Sequence, residues 1–297
     1  MAQRGNGRPA AVRGRWPRAV ALALAVGAAA TTLTACGSGG EKTYASGTID
    51  GTTPGTTARA ASADEVRGKK LAVEGMELLR TADTVRMGVE MTTAKGRQKV
   101  TLHMDRDSNC TGTFDAGPMQ RGELIIVAGG ATYVRFSDAS LDAIREMAES
   151  RGPDAAATIR ERTALARGKY LKIPAGTGNG PAAVPGMKCD LDELTGKLGG
   201  GPDEDDVITA LPETRRYGRG VTPLVESEDG GDGEGTTVYV ASSGRPYILG
   251  VEGIEDGGQR MTMRMSAYDE PVVARAPAPA LTIDISRIRG GGGLFEV

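Results

Sequence analysis

The chain has 297 residues, 39% of them hydrophobic and 4% aromatic, and a formal net charge of −2. That balance argues against nucleic acid as a partner, because a binder of phosphate backbones carries a basic excess. One histidine and three cysteines are too few and too scattered for a tetrahedral metal set.

The first residues read as an export signal. Arg4, Arg8, Arg13, Arg15 and Arg18 precede the apolar run Ala19 to Ala30, with no acidic residue among them. A basic region, a short apolar region and small residues before a cut site make a secretory signal peptide. The run is too short for a membrane-spanning helix, which takes about 20 apolar residues. Leu33-Thr34-Ala35-Cys36, followed by Gly37 and Ser38, is similar to a bacterial lipobox. Residues 1–35 are therefore expected to be removed, and Cys36 to carry diacylglycerol and palmitate. The alternative is an ordinary signal with a chance cysteine. The arginines are not adjacent, so a twin-arginine route is not indicated.

Loss of the leader removes five arginines and leaves 31 Lys+Arg against 38 Asp+Glu, a net charge of about −7. Such a chain has no polybasic grip on anionic lipid, so its hold on the membrane must come from the acylated cysteine. The expected location is extracytoplasmic, lipid-anchored to the outer face of the cell membrane. Cys110 and Cys189 remain as an even pair in an oxidising compartment, and a disulfide between them is expected. Two free buried thiols are the alternative.

About 260 residues suffice for one domain plus a tether. Residues 36–61, rich in Gly, Ser and Thr, are expected to be flexible, with an r.m.s. span of about 27 Å. The domain proper is read as residues 62–288, and 289–297 as a loose tail. Ser62-Ala63-Asp64-Glu65 is a capping-box pattern opening a helix to about Ala82, with Leu71, Ala72, Met76, Leu78 and Leu79 on one stripe. The period then becomes two. Val85, Met87, Val89 and Met91 alternate with polar residues, and so do Val100, Leu102 and Met104, with a turn at Ala94-Lys95-Gly96. Asp105 to Gly112 is read as a further turn. Glu123 to Val127 and Ala131 to Phe136 flank Gly129-Gly130 as a second hairpin.

Asp138 to Ser150 and Pro153 to Ala166 are predicted helices, the second with proline at a permitted first position. Tyr170 to Ile173 is a short strand, Ala175 to Gly186 a Gly/Pro loop and Cys189 to Leu198 a short helix. Gly199 to Asp206 is a loop by composition. Thr236 to Ala241, Tyr247 to Val251 and Gln259 to Tyr268 are strands, and Leu281 to Ile285 closes the fold. This order implies an α+β domain with one large antiparallel sheet and helices gathered on one face.

Chemistry-bearing motifs are scarce. G-x-S-x-G, H-E-x-x-H and phosphate-loop patterns are absent from the sequence. No catalytic residue, metal ligand or cofactor site is assigned. His103, between Leu102 and Met104, is expected to face outward as an ordinary surface residue. Asp190/Asp192 and Asp205/Asp206 lack the ligand spacing of a calcium loop and are read as solvated charge. Methionine is the more informative residue, with eleven Met against three Phe and one Trp. Met87, Met91, Met104, Met261, Met263 and Met265 fall on strands at period two, so each set shares a face. With Val89, Val100, Leu102 and Leu249 they either line a cavity that holds lipid chains, since methionine repacks around varied partners, or form a plain core.

Six stretches carry a resemblance. DRDSNCTG (Asp105 to Gly112), GELIIVAGGATYVR (Gly122 to Arg135), GKYLKIP (Gly168 to Pro174), CDLDEL (Cys189 to Leu194), VYVASSGRPYIL (Val238 to Leu249) and YDEPVVARAPAPALTIDIS (Tyr268 to Ser286) resemble those of actinobacterial envelope lipoproteins. The family is that of the mycobacterial LppX and LprG lipoproteins and, more remotely, the lipoprotein carrier LolA. The resemblance implies a strongly curved half-barrel wrapped on helices around a hydrophobic cavity for acyl chains. It implies no fixed catalytic residues, hence a non-enzymatic protein with a lipid as ligand. The second expectation, from a different class, is an envelope sensor without lipid. It would contact a partner protein through the acidic loops Asp203 to Asp206 and Glu226 to Glu234.

Overall fold

The computed structural model describes residues 60–93, 96–174, 189–197, 201–203, 206–226, 235–255 and 259–287. The expected leader, Cys36, the tether up to residue 59 and the tail lie outside the described residues. So do the 175–186 loop, nearly all of the 226–235 loop and half of the 199–206 stretch.

The domain opens on helix α1 (Ala63–Thr81), fixed by the capping box that its sequence announces. Ser62 Oγ accepts from the Glu65 N–H at 3.2 Å, and the Ser62 N–H donates to Glu65 Oε2 at 2.7 Å. Each contact satisfies a helix-terminal donor. Strands β1 (Thr84–Thr93) and β2 (Gly96–Asp105) form the expected hairpin, Thr93 opposite Gly96. The stretch expected to turn as far as Gly112 enters β3 (Cys110–Asp115) two residues earlier. The Asp105 carboxylate accepts from the Asn109 backbone N–H at 2.8 Å and its side-chain amide at 3.0 Å, and Ser108 takes a positive φ of 65°. Those contacts complete the turn within four residues, so Gly112 lies mid-strand. Strands β4 (Arg121–Ile126) and β5 (Ala131–Phe136) follow, then helices α2 (Asp138–Glu149) and α3 (Pro153–Ala166), β6 (Tyr170–Pro174) and the short helix α4 (Leu191–Lys197).

The next three strands, β7 (Ile208–Ala210), β8 (Thr214–Arg216) and β9 (Arg219–Glu226), have no counterpart in the sequence reading. Two are three residues long, and Pro212 and Pro223 interrupt the alternation that would mark them. The last strands are β10 (Thr237–Ala241), β11 (Ile248–Glu255), β12 (Gln259–Ser266) and β13 (Thr282–Asp284). All thirteen join one open sheet in the order β13-β6-β5-β4-β3-β2-β1-β12-β11-β10-β9-β7, with β8 also on β9. The expected antiparallel sheet needs one correction. β13 runs parallel to β6, because the long segment after Ser266 brings the chain back to that edge in the same direction.

The result is an α+β half-barrel. Its concave side is packed with apolar side chains from both halves of the sheet and from α1, including Ala72, Met76 and Leu79. α1 can come that close because it turns glycines toward the strands. A Cβ on Gly68 would stand 2.2 Å from the Ile208 carbonyl oxygen, and one on Gly75 3.0 Å from that of Pro246. α4 is held to the other half by the Cys110–Cys189 disulfide, with Cα atoms 5.8 Å apart. Leu191 and Leu194 then join the same core. Arg106, in the β2–β3 turn, ties the layers together. Its guanidinium donates to the carbonyls of Arg80 and Ala82 at the end of α1 and to the Asp192 carboxylate of α4. Ala82 is the C-cap of α1, so Arg106 supplies donors to orphan helix-end carbonyls. Among the described residues, no helix is long and apolar enough to cross a membrane.

Candidate functional site: the methionine face

Three neighbouring strands bring the methionines together. β1 lies between β2 and β12, and the registers align Met87 with Met265, Val89 with Met263 and Met91 with Met261. On the other side Val85 faces Met104, Met87 faces Leu102, and Val89 faces Val100. Nine of the ten residues expected on a common apolar surface therefore share one face of β12-β1-β2. Their depth differs along it. Val89, Leu102, Met104, Met261, Met263 and Met265 are buried, whereas Met87, Met91 and Val100 are half-buried against the same core. Tyr268 stands by Met265. Its hydroxyl donates to the Ile248 carbonyl at 2.6 Å, and burial raises its pKa far above the ordinary phenol value.

Leu249 does not belong to this face. A register shift between Tyr239 and Val240 sets Val240 opposite Ile248 and Tyr239 opposite Gly250. The bulge leaves Leu249 as the extra residue. Ile248 and Val251 enter the concave core instead, and Leu249 packs on the outer side with Val221 and Tyr239.

That outer cluster was not apparent in the sequence. The β8–β9 hairpin turns on Tyr217 and Gly218, with φ of 53° and 76°, the pair of positive angles that a two-residue hairpin loop demands. It lays the Tyr217 ring over Gly250, where a Cβ would come within 2.5 Å of the ring. Glu252 accepts from the hydroxyls of Tyr217 at 3.0 Å and Tyr239 at 3.1 Å and from Arg216 at 3.3 Å. Arg264 covers the Tyr217 ring at 5.0 Å. The available signal was the Tyr-Gly-Arg-Gly turn at Tyr217 to Gly220. A second outer cluster joins β4, β5 and β6. Arg135 donates to both Glu123 oxygens, at 2.8 and 2.7 Å, and the Tyr170 hydroxyl donates at 2.9 Å. Burial disfavours the Glu123 charge, yet these hydrogen bonds outweigh it and hold the carboxyl below its usual range.

His103 also departs from expectation. It points away from the methionine face as its register requires, but it is only 7% exposed. The chain after β12 covers this part of the sheet, with the Asp269 N–H on the Thr84 carbonyl at 3.0 Å and the Thr84 hydroxyl on the Glu270 carbonyl at 2.6 Å. Burial first, and then the Arg86 charge, lower the His103 pKa, against a hydrogen bond with the Glu270 backbone. Its Nε2 is buried without a partner among the described residues. The acidic pairs serve local structure. Asp190 Oδ1 accepts from the Glu193 N–H, Asp192 pairs with Arg106, and Asp206 Oδ2 accepts from the Asp203 N–H at 2.6 Å. Asp205 lies outside the described residues. No group of three or more His, Cys, Asp or Glu suited to a metal ion occurs among the described residues.

A groove of about 500 Å³ runs along the outer side of α1, between that helix and the segment Asp206–Ile208. It is separate from the methionine face. Ala61, Val66, Val73 and Val207 contribute apolar wall, and Glu65, Lys69, Lys70, Glu74 and Asp206 a polar rim.

No family model and no curated protein matches the chain. Solved structures do. LprF from Mycobacterium bovis is 12% identical, with a TM-score of 0.46, over 74% of this chain and 100% of its own. The Mycobacterium tuberculosis lipoprotein LppX is 11% identical, with a TM-score of 0.41, over 71% and 100%. The MucA/MucB complex of Pseudomonas aeruginosa is 12% identical, with a TM-score of 0.31, over 72% and 59%.

Proposed function

We propose that this protein is an extracytoplasmic lipoprotein, held at the membrane by lipidated Cys36, that binds the hydrophobic chain of an envelope lipid against its methionine face. The observation that supports this reading is the run of Met87, Met91, Met261, Met263 and Met265 across adjacent strands, with Met87, Met91 and Val100 only half-buried. Unbranched, polarizable side chains on a curved sheet can repack around a chain of variable shape. Each buried CH₂ of ligand is worth about 0.8 kcal/mol, so a long acyl chain binds well without polar contacts, cofactor or catalysis. Transport of such a lipid across the envelope is the corresponding role.

Mature protein purified from its own host and extracted for lipid mass spectrometry tests this. We expect a defined lipid at about one per protein, lost in Met87→Lys and Met263→Lys variants that keep the disulfide and the far-ultraviolet spectrum. A sensing role would show differently in the same preparation, as a protein free of copurifying lipid and bound to a stoichiometric protein partner. The observation favouring it is the tyrosine and arginine cluster around Glu252, since those residue types dominate protein contacts.

A further inference from the structure

We infer that the groove along the outer side of α1 is an acyl-chain site, a second contact for membrane lipid placed where the domain meets its anchor. The fold itself leaves this surface unexplained. α1 buries one face, Gly68, Ala72, Gly75 and Leu79, against the sheet. It then turns a second apolar stripe outward, with Val66 61% and Val73 49% exposed, seven residues apart on one helix face. Val207, 39% exposed, closes the opposite wall. Of the seven large hydrophobic residues that stand exposed among the described residues, three line this one groove.

Its dimensions suit a chain. About 500 Å³ falls within the usual range for small-ligand sites. The wall from Val66 to Val73 rises about 10 Å along the helix, with Ala61 extending it beyond the N-terminus. The rim suits the polar end of an amphiphile without selecting its charge. Lys70 pairs with Glu74 at 3.9 Å, and Lys69 donates to the Asp203 carbonyl at 2.9 Å. Glu65 and Asp206 accept from the backbone N–H groups of Ser62 and Asp203, so these charges of both signs are engaged within the protein and recognition rests on the apolar chain.

The occupant follows from where the chain leads. Ala61 forms part of the wall, and only about 25 residues separate it from Cys36. A lipid on Cys36 would attach the chain at this end of the domain, so the groove is the apolar surface nearest in sequence to the anchor. The inference rests on the lipid-binding reading and adds an entry site to it.

The test uses the mature, acylated protein in phosphatidylcholine vesicles containing a phosphatidylcholine with a diazirine at the end of one acyl chain. After irradiation, we expect cross-links on α1 peptides spanning Val66 and Val73. A Val66→Asp/Val73→Asp variant should lose them at least tenfold and keep those on β1 and β12. Both positions are exposed, so the fold should tolerate the change, and Val66→Ser/Val73→Ser serves as a milder version. Cross-links confined to β1 and β12, and equal in the variant, would overturn the groove while sustaining the lipid reading. Cross-links in neither region would defeat both. Equal labelling of α1 by a water-soluble diazirine would reduce the groove to ordinary exposed surface.

Discussion

His103 shows how a single side chain acquires a role from its cover. In the unfolded chain its pKa is near the ordinary 6.5, and in the folded protein burial and Arg86 hold it lower. Between the two values the unfolded state binds more protons, so the folded state loses stability as pH falls below about 6.5 and keeps it above. Urea unfolding at pH 7.5 and pH 5 should show that loss, and a His103→Gln variant should show less of it. The disulfide is the other residue-scale contribution. Closing a separation of 79 residues is worth about 4.5 kcal/mol in the chain-entropy model. A Cys110→Ala/Cys189→Ala variant should therefore unfold at markedly lower guanidinium concentration, close to that of the reduced wild type. Unchanged unfolding would mean that the bridge contributes nothing.

At the scale of elements, α1 depends on small residues. Gly68 lets the helix backbone approach β7 to a distance no side chain permits, with the Ile208 carbonyl only 2.2 Å from where a Cβ would lie. Gly68→Ala should cost about 1–3 kcal/mol through displacement of packed backbone, read as a lower midpoint of thermal unfolding. The same change would cost nothing on an exposed helix face, where alanine is the better helix former. The β1–β2 hairpin, α1, α2 and α3 were legible because each carries its own period and its own start or stop signal. β7, β8 and β9 were not. β7 and β8 are three residues long and have no period to read, and Pro223 interrupts β9. β7 exists because β9 and α1 supply its partners, and β8 because β9 does.

For the whole molecule, the decisive arrangement is a sheet too wide to cover itself. Thirteen strands curve around α1 and α4, and Arg106 and the disulfide tie those helices to the β2–β3 end. Ligand entry to the methionine face would have to work against these ties, and Met87, Met91 and Val100 are the members of that face that remain half-buried. The lipid-extraction and cross-linking experiments address different surfaces of one domain. The first reads the concave face through the Met87 and Met263 variants, and the second separates that face from the outer side of α1.

The sequence by itself determined the element types wherever apolar residues recur at a steady spacing. It also determined which residues of β1, β2 and β12 share a face, because side-chain alternation in a strand is fixed by backbone geometry. It identified Cys110 and Cys189 as the pair to be joined. Only the tertiary structure decided what lies over each face. The bulge at Tyr239 and Val240 sent Leu249 outward, and the segment after Ser266 buried a histidine whose alternation had marked it as exposed. The packing of α1 beside the segment that leads into β7 formed a groove along the helix. Each of these depends on contacts between residues far apart in the chain, which no local pattern encodes.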